Sequence, residues 1–137
     1  MEKPKINIKK LTLMRDNLIN NVSEENFNMQ FYSNLLNENC ECGSVGCIIG
    51  NSIKLDMDDF FKIREKQLTN NNPLRMNINL SYFYWSFKFL ELELNNQETE
   101  KLWDYLFSEG WSKLSPTKND AINRINYVIE NNTYDKN

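Results

Sequence analysis

Histidine is absent from all 137 residues. That removes the commonest general base, the commonest nitrogen ligand of zinc, and every Ser-His or Cys-His nucleophile pair. Cysteine is scarce too. The three thiols, an odd number, sit at Cys40, Cys42 and Cys47, a poor disulfide framework that fits reduced thiols in a reducing compartment. No stretch approaches the roughly 20 apolar residues of a membrane span, and Met1-Glu2-Lys3-Pro4-Lys5 leads into no apolar run of a signal peptide. The expectation is a soluble chain that stays where it is made and makes no membrane contact. A basic excess is also missing, with 16 Lys and Arg against 19 Asp and Glu. No nucleic-acid partner is therefore expected, since such binders usually carry surplus cations to neutralise phosphates. The net charge of −3 is far too small for a DNA mimic.

What the chain does contain is enough for one domain with a real core: 40% apolar and 12% aromatic residues. Asparagine is heavily used, at 23 positions. Turns and helix caps account for part of this, and codon bias of an AT-rich genome for the rest.

Leu11, Met14, Leu18 and Val22 recur at helical spacing, followed by a break at Ser23-Glu24-Glu25-Asn26. A second apolar cluster, partly helical, runs from Phe27 to Leu36. Ser44 is placed to cap a helix carrying Val45, Ile48, Ile49 and Ile53. A helix is expected near Asp58–Gln67, then an Asn-rich loop ending at Pro73. Met76, Ile78, Leu80 and Tyr82 alternate with polar residues, whereas Tyr82, Trp85, Phe89 and Leu92 share one helical face. A strand or hairpin near 76–82 running into a helix satisfies both patterns. Asn95-x-x-Glu98 resembles a capping box ahead of Leu102, Trp103, Leu106 and Phe107, and Gly110 ends that helix. Ser115 as N-cap with Pro116 at the first position starts a last helix through Ala121, Ile125 and Val128. A frayed tail is expected after Glu130. No internal repeat and no second domain is visible, so residues 1–137 are read as one domain.

Four features invite chemistry. Cys40-x-Cys42-x4-Cys47 offers three thiolates where a closed zinc site needs four ligands, so small buried thiols are the better account. Glu38, Glu41 or a second chain would otherwise have to complete the shell. Gly43, Gly46 and Gly50 match no phosphate loop, lacking its lysine and strand context. Gly46, Cys47 and Gly50 instead suit close approach of a neighbouring helix. Asp56, Asp58 and Asp59 lack the glycine and the terminal glutamate of a calcium loop, and fit the first turn of a helix. The run Tyr82-Phe83-Tyr84-Trp85 could stack bases, but without interleaved basic residues it reads as core or protein interface.

The segment Cys42-Gly43-Ser44-Val45-Gly46-Cys47-Ile48-Ile49-Gly50 resembles the Cys-Gly-Thr-x-x-Cys-x-x-Gly signature of small, uncharacterised phage and prophage proteins. Phe27-Asn28-Met29, Leu102 to Trp111, and Thr117, Ala121, Arg124 and Ile125 are similar to other segments of that family, in the same order. Ser44 replaces the usual Thr and keeps the hydroxyl. Residues 54–79 interrupt the likeness and read as an insertion. The resemblance implies a viral or mobile-element origin and no particular activity.

The expected fold is mainly α, a compact bundle of five to six helices. The expected function is non-enzymatic, without cofactor, metal or catalytic residue. It is an accessory protein in the host cytoplasm that binds a host or viral protein and interferes with a host enzyme or defence system. A structural or packaged component of a phage particle is the alternative, and a homo-oligomer is open to either. Phe60, Phe61, Tyr82, Tyr84 and Trp85 are the interface candidates, being aromatic and lying in or beside the segment that departs from the family.

Overall fold

In the computed structural model the residues described are 4–27, 48–68, 78–107 and 117–134. Six α-helical segments occupy them: α1 (Ile8–Asn21), α2 (Ile48–Ser52), α3 (Met57–Leu68), α4 (Ile78–Phe89), α5 (Gln97–Phe107) and α6 (Lys118–Asn131). Short 3-10 turns cover Glu24–Asn26 and Ile53–Asp56. No strand lies among the described residues, and Ile78–Tyr82 is helical rather than a strand or hairpin. The alternation there is outvoted because α4 is apolar nearly all round, the mark of a helix surrounded by neighbours. No helix among the described residues is long and apolar enough to cross a membrane.

The helices pack as a bundle around one core. Leu11, Met14 and Leu18 of α1 face Ala121, Ile125 and Val128 of α6, all fully buried. The two helices run antiparallel: the Lys118 ammonium near the start of α6 donates to the Val22 carbonyl at the end of α1 (2.8 Å), and Arg15 donates to Asn126 Oδ1 (2.9 Å). α5 adds Leu102, Leu106 and Phe107 to the core. The guanidinium of Arg124 on α6 lies 4.7 Å from the Tyr105 ring centre and donates to the Tyr105 carbonyl on α5 at 2.8 Å.

Caps decide where the helices begin. Asn7 Oδ1 accepts from the Lys10 amide (2.9 Å) to start α1. Asn96 Oδ1 does the same for Thr99 (3.1 Å), so the cap of α5 is one residue later than the expected Asn95. Asn95 instead takes a left-handed φ of 62° in the turn, and Glu98 is engaged with Tyr134 and Lys101. The α6 cap is Thr117, not Ser115. Its hydroxyl accepts from the Asp120 amide (3.1 Å) while Asp120 accepts from the Thr117 amide (2.7 Å), a full capping box. Nor is the end of α6 frayed through Tyr134. Asn132 closes the helix at φ 55°, and the Tyr134 hydroxyl donates to Glu98 of α5 at 2.9 Å.

The end of α4 is a Schellman turn with glutamate where glycine is usual. Leu92 N–H donates to Phe87 O (2.8 Å) and Glu91 N–H to Lys88 O (3.2 Å), with Glu91 at φ 58°. The left-handed φ costs a residue with a Cβ about 1 kcal/mol. The Glu91 carboxylate offsets it by accepting from the Asn7 side-chain amide, while the Asn7 backbone N–H donates to Leu90 O (2.8 Å). One asparagine thus starts α1 and clasps the end of α4.

Candidate interaction surface on the third and fourth helices

Residues 48–68 form an unbroken helical run with a 3-10 turn in its middle. At each end of that turn a side chain from another helix takes up a backbone carbonyl. Buried Asn17 of α1 donates to Asn51 O (2.7 Å), which ties down α2. The Trp85 indole of α4 donates to Asp56 O (2.9 Å), just where α3 begins. Asp56 Oδ1 accepts from the Asp59 amide at 3.3 Å, as an N-cap does. Asp58 and Asp59 follow in the first turn of α3, where carboxylates complement the helix dipole. Asp59 reaches Lys88 of α4 at 3.4 Å and Asp58 points outward. The three acids are thus spread over a cap, an ion pair and solvent.

α3 lies antiparallel on α4, since Phe60 meets Tyr82 (ring centres 4.9 Å apart) while Asp56 and Asp59 meet Trp85 and Lys88 farther along. The five aromatic candidates divide. Phe60, Tyr82 and Trp85 are 6%, 2% and 0% exposed, part of the core rather than an accessible surface. Trp85 stacks on Phe89 at 4.7 Å and 12°. Phe61 and Tyr84 are 58% and 41% exposed. The reason is helical rotation: neighbouring positions are about 100° apart, so Phe60 turned inward throws Phe61 outward. Asp59 and Phe61 flank Phe60 on opposite sides, and Asp59 is the one that reaches Lys88. Tyr84, one turn from Lys88 on α4, therefore sits on the opposite flank of the α3–α4 seam from Phe61. The two exposed aromatics do not form one patch.

On its other side α4 packs on α5. Phe83 and Phe87 contact the Trp103 ring at 5.1 and 6.3 Å, and the Trp103 indole donates to the buried Ser86 hydroxyl (2.9 Å). Ser86 in turn donates to Phe83 O (2.6 Å). The indole-to-serine and indole-to-carbonyl bonds that fix α4 carried no sequence signal, because their partners are 17 and 29 residues apart.

Of the cysteine–glycine motif, Cys42, Gly43, Ser44, Gly46 and Cys47 lie outside the described residues. Gly50 is half-buried in α2, next to buried Ile48, Ile49 and Ser52, on the helix that packs against α1. Residues 54–79 contribute Phe60 to the common core through α3.

Among the described residues, two titratable groups are shifted. Asp104 is exposed, yet partial desolvation, and then the neighbouring Glu100, push its carboxyl up; partial desolvation and the bond to Glu98 push the Tyr134 phenol up. Compared with family models, curated proteins and solved structures, the chain matches none.

Proposed function

We propose that the protein is a small, non-enzymatic, phage-encoded accessory protein that binds a host or viral protein in the host cytoplasm, and that Phe61 on α3 anchors the contact. The observation that carries this reading is the pairing of Phe60 and Phe61. One ring is locked in the core while the next stands 58% exposed on a helix whose start is fixed by the Trp85–Asp56 bond. An aromatic side chain held out on a positioned element costs little ordering entropy on binding, and such residues are favoured interface anchors. The phage origin rests on the signature at Cys42–Gly50. Interference with a host enzyme or defence system is the use this reading assigns.

The test is capture from host lysate, with and without phage infection, by the parent chain and by Phe61→Ala. The variant should melt at nearly the parent temperature, since the ring it loses is largely solvated. It should recover the specific partner about tenfold less well, as expected for an anchor worth roughly 1–2 kcal/mol. Equal recovery by both chains would remove Phe61 from the contact. Stoichiometric presence in purified virions, with no captured partner, would favour the packaged-component alternative.

A further inference from the structure

Three observations set α3 apart. Of its residues 57–66 only Phe60 is buried, with Ile63 packed partly against the core, whereas α1, α5 and α6 each bury three or four. Its main packing is on α4 and on the turn that precedes it. That turn is 3-10 in the middle of a helical run, a geometry often found at hinges. A helix with little burial, leaving the core through such a turn, opens at lower free energy than the rest of the fold. What it packs against is chemically specific: it covers the Tyr82 ring and the Trp85 indole N–H, and at the exposed edge of the seam Asp59 meets the Lys88 ammonium.

We propose that α3 is a displaceable cover, and that the seam beneath it is a docking site for a partner helix carrying a carboxylate followed directly by an aromatic ring. Asp59-Phe60 fills the site in the closed chain and defines the occupant. The carboxylate meets Lys88, the ring lies against Tyr82, and a backbone carbonyl one turn earlier accepts from Trp85. This is recognition of a helix in an apolar groove, with α3 as the intramolecular competitor. The inference rests on the protein-binding reading above, and adds the partner's chemistry and the way the chain holds itself closed.

The probe is a fluorescein-labelled peptide of residues 53–68, titrated by anisotropy against the full chain, its Phe60→Ala variant and its Asp59→Lys variant. Each variant weakens the cover and leaves the seam intact. Both should bind the peptide about tenfold or more tighter than the parent does, because the competing segment has been weakened. A peptide carrying Phe60→Ala should lose that gain. Hydrogen exchange on the same samples should show residues 57–66 exchanging faster in both variants while residues 8–21 and 118–131 keep parental rates. Should Phe60→Ala melt the whole chain, Asp59→Lys, which removes no core atom, decides both readouts. Equal weak binding to all chains with α3 released, or α3 exchange that moves in step with α1 and α6, overturns the proposal. The peptide belongs to this chain, so the result is independent of any captured protein. A seam that takes the peptide while Phe61→Ala leaves capture intact sinks only the Phe61 reading, and the reverse sinks only the seam.

Discussion

The α1–α6 seam and the α3–α4 seam are both antiparallel helix pairs, yet they are built from different materials. The first is aliphatic. Leu11, Met14 and Leu18 meet Ala121, Ile125 and Val128, and each helix has a side-chain cap at its start. The second is aromatic on one side and thinly supplied on the other, with Phe60 the one buried side chain among residues 57–66. There, directional bonds substitute for volume: Trp85 to the Asp56 carbonyl, and Lys88 to Asp59. Aliphatic burial holds two helices together whatever small rotation they adopt, because the hydrophobic effect is non-directional. A ring, an indole N–H and an ion pair hold only one arrangement and release together when it is lost.

The largest expected effect separates the two seams outright. Leu18→Ala should cost about 2–5 kcal/mol, as for other fully buried leucines, and denaturant unfolding should show the whole bundle losing it in one transition. If the midpoint barely moved, the aliphatic seam would not be the stronger of the two. A smaller effect is expected at the aromatic seam. Trp85→Phe keeps most of the ring but removes the indole donor to the Asp56 carbonyl, a cost of about 1 kcal/mol. Hydrogen exchange should place the loss in residues 57–66 first; loss spread evenly over all helices would make the seams equivalent. The smallest effect serves as a control outside both seams. The Asp104 carboxyl is pushed up by partial desolvation and by Glu100. For an acid raised in the folded state, the favourable contribution is present below the unfolded pKa and disappears as pH rises through the folded one. Asp104→Asn should therefore raise the melting temperature slightly at neutral pH, and that gain should shrink as pH falls through the carboxylate range. A gain that grew in acid would reverse the assigned sign.

How much of this was legible in the sequence follows the same division. Periodicity located the helices around Leu11–Leu18, Leu102–Phe107 and Ala121–Val128, because an amphipathic helix displays its buried face as a 3.6-residue pattern. It also placed the helix near Asp58–Gln67, observed as Met57–Leu68. It misjudged 76–82. A central helix such as α4 buries nearly every side, so its pattern carries no phase and the alternating apolar residues imitate a strand. The caps at Asn95 and Ser115 were each set too early. Nearby residues that can also cap, Asn96 and Thr117, compete for the role, and packing chooses between them. The shared helical face of Tyr82, Trp85, Phe89 and Leu92 did mark the side of α4 that is buried, whereas exposure within Phe60-Phe61 was beyond reach of pattern, since the rotation of α3 depends on its contacts with Trp85 and Lys88.

The clasp between Asn7 and Glu91 joins positions 84 residues apart, and Arg15 with Asn126 joins positions 111 apart. Contacts across such spans charge their closure entropy before any reward arrives, so they form late. The pairs α3–α4 and α5–α6 are neighbours in the chain and can assemble on their own schedule. In a refolding experiment α1 is then the last helix to settle. It docks on a scaffold already made by the others, and Asn7 closes the circuit in a single step that sets both its own first turn and the end of α4.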